Sequence, residues 1–255
     1  MISKKIIHNN FKNHADFLDD IITNFDKKGK DFGNQDRNSL KLFQLNDMTL
    51  NVKSFRVPNI INKIAYKFFR KSKAQRSFEY ANNLVELNIG TPQPIAYYEF
   101  KSLFAFNKSY YISEHQDCDL TYRELTTDLN YPNHEAILRA FTRFTYELHE
   151  KGIHFLDHSP GNTLIKINKG DYNFYLVDLN RMEFKPLDFE TRIKNFSRLT
   201  IHKFMIEIMS DEYAKCSGEN YEKIFNIMWQ ETETFQEKYH SKQRLKKKLK
   251  FWKKN

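Results

Sequence analysis

Three polar residues in the second half of the chain have the types and the spacing that phosphoryl transfer requires. Asp157 is followed five residues later by Asn162, and Asp178 comes after an apolar run. Phosphoryl transfer passes through a loose, negatively charged transition state, so the protein mainly supplies an Asp near the acceptor hydroxyl and an Asn and a second Asp on Mg²⁺. We therefore predict that Asp157 is the catalytic base and that Asn162 and Asp178 are metal ligands.

Two short strands are expected to bring the predicted metal ligands together. β-Branched and aromatic residues at 163–167 and 174–179 flank a turn-forming cluster at 168–171. The resulting hairpin would place Asn162, just before its first strand, beside Asp178, near the end of its second. Taken singly, each of these residues is more typical of a turn cap. Their order and spacing together favour kinase chemistry.

The same segment contains an alternative metal pattern. His154, Asp157 and His158 form H-x-x-D-H, which is similar to the H-x-x-E-H pattern of inverted zinc proteases. Two histidine ligands at this spacing need a helix, but Gly152 precedes them and Pro160 follows. The carboxylate is also Asp rather than Glu. The sequence therefore favours a core or loop-bracing role for His154 over a zinc site.

A lysine that binds the nucleotide phosphates is expected upstream, together with a helical glutamate that holds it. Residues 39–56 have the alternation of a hairpin around an Asn-Asp turn, and Lys53 lies on its second strand. Residues 72–87 follow as a helix that carries Glu79. We predict that Glu79 holds Lys53, with Glu86 as the alternative partner. A lysine on a strand is ordinarily a solvent-facing residue, so this assignment depends on the order of the segments.

Other parts of a nucleotide site have weaker signals. Gly29 and Gly33 lie in a polar stretch before the hairpin, where a loop that covers phosphates belongs, although no G-x-G-x-x-G pattern is present. A strand at 109–114 is expected to end at a linker between two lobes. Backbone groups of Ser113 and Glu114 are the predicted adenine contacts there.

Six runs of the chain, taken in order, form a recognisable set. They are VKSF, RKSKAQRSFEYA, GTPQPIAYYE, SYYISE, HEKGIHFLDHSPGNTLI and LVDLNRM. The set resembles the lipopolysaccharide kinase (Kdo/WaaP) family of Gram-negative bacteria over roughly residues 25–200. DHSPGN and DLNRM are its more specific pieces, and DHSPGN is also similar to the D-x-H-P-x-N loop of aminoglycoside and choline phosphotransferases.

The resemblance implies an α+β, two-lobed protein-kinase-like fold, with a small β-rich N-lobe at 1–115 and a larger, mainly helical C-lobe at 116–240. It also implies an ATP-dependent phosphotransferase that uses Mg²⁺ and phosphorylates a sugar hydroxyl, on Kdo or heptose, in the lipid A–core glycolipid. The family roles of phosphate binding, lysine holding, base and metal ligation fall on residues already selected: Lys53, Glu79, Asp157, Asn162 and Asp178.

Two positions depart from the kinase pattern. Phe155 lies two residues before Asp157, where many kinases have His, and His154 is displaced by one position. The last strand ends in D-L-N, beginning at the predicted metal ligand Asp178, rather than in D-F-G, so Asn180 replaces a flexible glycine. No Ala-Pro-Glu signature follows, which favours a small acceptor over a protein. A compact bacterial Ser/Thr protein kinase and a pseudokinase or binding module are the alternative functions.

Composition favours an intracellular enzyme. The 255 residues include only two cysteines, Cys118 and Cys216, so no disulfide framework is indicated. The first residues lack the apolar run of a secretory signal, and no stretch approaches the ~20 apolar residues that span a membrane. A cytoplasmic location is therefore expected.

The net charge of +9 is concentrated at the C-terminus. Residues 241–255 contain eight of the 41 Lys and Arg and no acid, and the remaining 33 nearly balance 32 Asp and Glu. Leu245, Leu249, Phe251 and Trp252 are interleaved with these charges. Such a segment suits an anionic membrane surface. We predict a protein peripheral to the inner membrane; a solvated helix end is the alternative, and nucleic acid is not the expected partner.

Overall fold

Strands dominate the first part of the chain and helices the last. The computed structural model describes residues 2–33, 38–55, 71–101 and 106–252. The chain divides into two units, each made of two segments: Met1–Asp117 with Tyr175–Arg181, and Cys118–Phe174 with Met182–Asn255. The predicted α+β class, with a β-rich first part and a mainly helical second part, is confirmed.

The first unit is built on a six-stranded antiparallel sheet of spatial order β1-β5-β6-β4-β3-β2. Its strands are β1 (Ile2–Ile7), β2 (Lys30–Phe32), β3 (Asn38–Leu45), β4 (Met48–Phe55), β5 (Pro94–Lys101) and β6 (Phe106–Glu114). A 3-10 helix (Asn9–His14) and α1 (Ala15–Thr23) share a core with residues of β3 to β6, among them Tyr98. The neighbouring Tyr97 packs instead with α2 (Lys73–Glu86), so the alternation of β5 separates two cores.

The hairpin predicted at 39–56 is confirmed for its described residues, and position 56 lies outside them. β3 and β4 pair from Asn38 opposite Phe55 to Leu45 opposite Met48. The turn between them uses Asn46 at φ 51°, a left-handed conformation that asparagine tolerates. Because β4 lies between β3 and β6, this hairpin puts Lys53 on a central strand.

The helix predicted at 72–87 is confirmed as α2. The Ser72 hydroxyl accepts a hydrogen bond from the Gln75 N–H over 3.0 Å, which caps the helix N-terminus. Its buried residues recur at helical spacing: Ala74, Ser77, Phe78, Ala81 and Leu84.

The second unit combines five helices with short strands. The helices are α3 (Tyr122–Thr127), α4 (His134–Glu150), α5 (Phe189–Lys194), α6 (Lys203–Ser217) and α7 (Tyr221–Trp252). The strands are β7 (Leu120–Thr121), β8 (Ile153–Phe155), β9 (Thr163–Asn168), β10 (Asp171–Leu176) and β11 (Met182–Phe184), in sheets β10-β9-β7 and β11-β8. The longest of the helices before α7 is the amphipathic α4, whose buried face includes Ile137 and Phe141.

The predicted hairpin after Asn162 is also confirmed, as β9 and β10. Lys169 at φ 48° and Gly170 at φ 97° form its turn. β10 ends at Leu176, three residues earlier than predicted, because Asp178 has φ 58° and cannot continue a strand. The early end leaves Asp178 on an irregular segment rather than in the sheet.

Candidate active site

In the first unit, Lys53 and Asp178 form an ion pair. Lys53 Nζ donates a hydrogen bond to Asp178 Oδ1 over 2.6 Å, and the two side chains are 15% and 32% exposed. Asn180 Nδ2 donates to the same oxygen over 2.8 Å. No described residue makes a polar contact with Asp178 Oδ2. The carboxylate is therefore fixed through one oxygen, and the other can accept a cation.

The backbone around Asp178 is held in an uncommon conformation. A left-handed φ of 58° costs an L-residue roughly 1–2 kcal/mol, less for aspartate because of its short polar side chain. The strand end just before it is anchored: the Leu176 N–H donates to Gly90 O over 2.8 Å, and Thr91 Oγ1 donates to Leu176 O over 2.9 Å. Asn180, which replaces the glycine of other kinases, supplies the side-chain contact that orients Asp178.

Glu79 does not occupy the predicted position beside Lys53. Its Oε2 lies 2.8 Å from Lys71 Nζ, and its Oε1 accepts a hydrogen bond from Gln75 Nε2 over 2.9 Å. Glu79 follows the buried Phe78, so helical geometry turns it about 100° away from the inward face of α2. In this structure the carboxylate that contacts Lys53 is that of Asp178 rather than that of the predicted Glu79. The alternative partner, Glu86, is exposed near the end of α2.

Two other cations of α2 were missed by the sequence analysis. Lys73 and Arg76 are one turn apart, and neither has an ion pair among the described residues. Lys53 Nζ and Lys73 Nζ lie 5.4 and 6.0 Å from the centroid of the Phe55 ring. Burial lowers the pKa of Lys73. The Asp178 charge opposes this shift, and the charges of Lys53 and Arg76 act in the same direction as burial. An anion bound here would relieve that repulsion. The only sequence signal is a Lys and an Arg three residues apart behind a helix cap.

The two predicted glycines have different surroundings. Gly29 precedes β2 at φ 85°, and a Cβ there would lie 2.6 Å from the Phe43 ring, so packing alone explains this glycine. Gly33 directly follows β2 at φ 66°, and no described atom lies within 4 Å of a Cβ placed there. The residues that follow Gly33, at 34–37, lie outside the described part of the chain. Its role in covering phosphates stays a prediction.

Ser113 and Glu114 form the end of β6. The Glu114 N–H donates to Gln93 O over 2.9 Å, and the His115 N–H donates to Thr49 O over 2.8 Å. These two amides are used within the first unit. The predicted adenine contacts at Ser113 and Glu114 stay a prediction. Because the Glu114 amide is already bonded, Glu114 would have to contact adenine through its carbonyl group.

In the second unit, β8 leads into a tight loop that carries Asp157 and Asn162. The His158 N–H donates to Phe155 O over 3.1 Å, and the Asn162 N–H donates to Ser159 O over 2.9 Å. Asn162 Nδ2 donates to the Asp157 backbone oxygen over 2.8 Å. These bonds close the loop and leave Asn162 Oδ1 without a donor among the described residues. An amide oxygen of this kind suits Mg²⁺.

The H-x-x-D-H residues lie on a strand and a turn rather than on a helix. His154 is on β8, with Nδ1 3.5 Å from Oε2 of Glu183 on the paired strand β11. His158 is fully buried among three aromatic rings, those of Phe141, Phe155 and Phe196. Burial lowers the pKa of His158 to about 3, so the imidazole is neutral. Both histidines brace the segment that carries Asp157.

A series of buried hydrogen bonds supports the same loop. His149 Nδ1 is 3.0 Å from the Tyr213 hydroxyl, and His149 Nε2 is 3.3 Å from Asn195 Oδ1. Asn195 Nδ2 then donates to Phe155 O over 3.0 Å. Burial lowers the pKa of His149 to about 3, so this chain is uncharged. It ties α4 and α6 to the backbone two residues before Asp157.

Comparison with known families bears directly on this arrangement. The model of the lipopolysaccharide kinase (Kdo/WaaP) family matches residues 33–240, which is most of the chain. The chain belongs to this family. It is therefore a phosphotransferase that acts on sugar hydroxyls, a sugar kinase of the lipopolysaccharide core, and the family uses ATP. The resemblance predicted from the six runs is confirmed, and the protein-kinase and pseudokinase alternatives are not favoured.

A solved structure agrees with the family on fold. A structure of WaaP in complex with acyl carrier protein matches with a TM-score of 0.64 and 15% identity, covering 93% of this chain and 98% of WaaP. At this identity the likeness shows the fold, and the predicted kinase-like fold is confirmed. A MAP kinase from Leishmania major, LmaMPK10, matches with a TM-score of 0.48 and 15% identity, covering 84% and 64% of the two chains. No curated protein sequence matches the chain.

Proposed function

We propose that this lipopolysaccharide kinase transfers the γ-phosphoryl group of MgATP to a hydroxyl of an inner-core sugar, Kdo or heptose, on a lipid A–core glycolipid. The observation that supports the residue assignment is that the Asp178 carboxylate is hydrogen-bonded through one of its two oxygens. Lys53 and Asn180 both donate hydrogen bonds to its Oδ1, and Oδ2 has no polar partner among the residues that the structure describes. A carboxylate that can accept Mg²⁺ near a phosphate-binding lysine is a recurring part of phosphoryl-transfer sites.

The donor set fits Mg²⁺, which prefers oxygen ligands and retains part of its water. Asp178 and Asn162 would supply a carboxylate and an amide oxygen. When bound, the ion neutralises charge on the nucleotide phosphates. Lys53 and Lys73 would bind phosphate oxygens as point charges.

Asp157 would act on the acceptor. Its carboxylate orients the sugar hydroxyl and takes its proton while the hydroxyl oxygen bonds to the γ-phosphorus and the bond to ADP breaks. Asp157 is the carboxylate of the closed loop, and its side chain is 21% exposed, which leaves it accessible to a hydroxyl. General-base assistance of this kind contributes on the order of 10²–10⁴-fold.

Acceptor choice tests the proposed function. The purified protein is incubated with MgATP and either an inner-core glycolipid or dephosphorylated casein, and the products are analysed by mass spectrometry. We expect one added phosphoryl group on a Kdo or heptose residue and none on casein. Phosphate on casein alone would contradict a glycolipid acceptor. Fragmentation of the product identifies the sugar and the hydroxyl.

We also propose that the C-terminal part of α7 binds an anionic membrane surface where the acceptor is embedded. The helix continues to Trp252, and the side chains from Lys238 to Lys247 are exposed apart from Gln243. Leu245 is 59% exposed between basic neighbours. Each Lys or Arg near an anionic surface contributes about 1 kcal/mol, so a few together give useful binding.

Deletion of residues 241–255 should reduce co-sedimentation with liposomes that contain anionic phospholipid and reduce activity on membrane-embedded acceptor. Turnover of a soluble sugar acceptor should be retained, because the catalytic loop lies elsewhere in the sequence. Substituting Gln at Lys242, Arg244, Lys246 and Lys247 tests the charges, and Leu245→Gln tests apolar insertion. High salt should weaken the binding of the full chain.

A truncated protein that binds such liposomes as well as the full chain would contradict the membrane proposal. WaaP was solved in complex with acyl carrier protein, so we propose that protein as the alternative partner to test on the basic segment. Purified acyl carrier protein is therefore added in parallel. Binding to that protein, with no binding to liposomes, would show that the segment contacts a protein partner. No helix in the described ranges is long and apolar enough to cross a bilayer.

A further inference from the structure

An arginine that is distant in sequence contacts the proposed base. Arg198 Nη1 lies 2.7 Å from Asp157 Oδ1. The same nitrogen donates a hydrogen bond to the Leu156 carbonyl oxygen over 3.1 Å. One guanidinium nitrogen therefore contacts both the carboxylate of Asp157 and the backbone that precedes it.

Arg198 is also held on its other side. Its guanidinium carbon lies 5.5 Å from the centroid of the Phe235 ring on α7, within cation–π range. Its Nε is buried and has no hydrogen-bond partner among the described residues. The side chain is 32% exposed, compared with 54% for Arg143, which pairs with Glu212. A buried, unpaired donor is costly, which argues that Arg198 is kept for more than a surface ion pair.

The loop itself supplies no positive charge beside Asp157. Residues 157–162 include one candidate cation, His158, and burial lowers the pKa of His158 to about 3. Arg123 lies against Gly161, at the other end of the loop. Among the described residues, Arg198 is the cation in contact with the Asp157 carboxylate.

We propose that Arg198 is a positioning residue for phosphoryl transfer. It fixes Asp157 through Oδ1, and Oδ2, which has no polar contact among the described residues, is left to meet the acceptor hydroxyl. Phe235 is the platform that keeps the guanidinium in place. The inference rests on the proposed role of Asp157. A displacement of about 1 Å in such a group costs on the order of 10²-fold in rate.

The test compares kcat and KM in four variants: Arg198→Ala, Arg198→Lys, Phe235→Leu and the control Arg143→Ala. Arg198→Ala should lower kcat about 10–10²-fold and change KM for MgATP less than about 2-fold. Arg198→Lys should recover part of the loss, because it restores the charge without the planar fork. Phe235→Leu should lie between wild type and Arg198→Ala. Arg143→Ala should match wild type.

A double variant separates this inference from the proposed function. If Arg198 acts through Asp157, Arg198→Ala should slow Asp157→Asn no further. Two outcomes would overturn this inference and leave the proposed base in place. One is wild-type kcat in Arg198→Ala while Asp157→Asn has lost turnover. The other is a double variant whose loss of kcat equals the two single losses combined. Turnover that survives Asp157→Asn would overturn the proposed base. Thermal unfolding measures whether each variant is folded. If Arg198→Ala is unfolded, the kcat values of Arg198→Lys and Phe235→Leu test the positioning role of Arg198.

Discussion

Asp157→Asn is expected to lower the rate of phosphoryl transfer about 10²–10⁴-fold while MgATP binds with nearly unchanged affinity. Asparagine has the size of aspartate and can still hydrogen-bond the acceptor hydroxyl, but it cannot take the proton. Because Asp157 contributes to closing the loop through its backbone oxygen, which accepts from Asn162 Nδ2, the substitution should leave the loop conformation intact. Steady-state turnover and titration calorimetry with MgATP measure the two quantities separately.

Asp119→Asn is the matched control for this prediction. Asp119 is also a carboxylate of the second unit, but it pairs with Lys166 and accepts a hydrogen bond from the Ile167 N–H at the β7–β9 sheet. Its loss should affect stability rather than chemistry. Near-normal turnover in Asp157→Asn, or an equal loss in Asp119→Asn, would remove Asp157 from the mechanism.

Asp178→Asn should produce a different defect, in which Mg²⁺-dependent nucleotide affinity is lost together with turnover. The amide is a poorer ligand for a hard cation, and the Lys53 ammonium loses the carboxylate that holds it. Removing an interaction made by bound substrate as well as by the transition state raises KM and lowers kcat/KM. Nucleotide titrations with and without Mg²⁺ measure the effect.

Glu79→Gln is the matched control, because sequence reasoning had assigned the holding role to Glu79. Its carboxylate contacts Lys71 and Gln75, so MgATP affinity and turnover should stay within about 2-fold of wild type. A defect in Glu79→Gln as large as that in Asp178→Asn would show that Glu79 contacts Lys53 when nucleotide is bound. Mg²⁺-dependent affinity retained in Asp178→Asn would contradict its assignment as a metal ligand.

The elements of this site were predictable because each has a local signal. Alternation around the Asn-Asp turn predicts the hairpin with Lys53, and the residue pattern of 72–87 predicts the helix α2. The order and spacing of Asp157, Asn162 and Asp178 predict the chemistry. The segment limits were less predictable, as β10 shows: its apolar run continues beyond Leu176, but the left-handed backbone of Asp178 ends the strand.

The contacts between distant residues were not predictable from the sequence. Periodicity gives the face of a strand or helix on which a residue lies, but it does not identify the partner. Lys53 was therefore assigned to Glu79, whereas the structure pairs it with Asp178. Asn180 departs from the glycine of the kinase pattern, yet its side chain orients Asp178. Arg198 has no local signal, because only tertiary packing brings it to Asp157.

The phosphate content of lipid A–core isolated from living cells tests the central claim most directly. A strain that lacks this gene is complemented with the wild-type chain or with Asp157→Asn, and the glycolipid is analysed by mass spectrometry. We predict that the wild-type chain restores one phosphoryl group on an inner-core sugar and that Asp157→Asn does not. Identical lipid A–core from the deletion strain and from both complemented strains would contradict the assignment of this protein as a kinase of the lipopolysaccharide core.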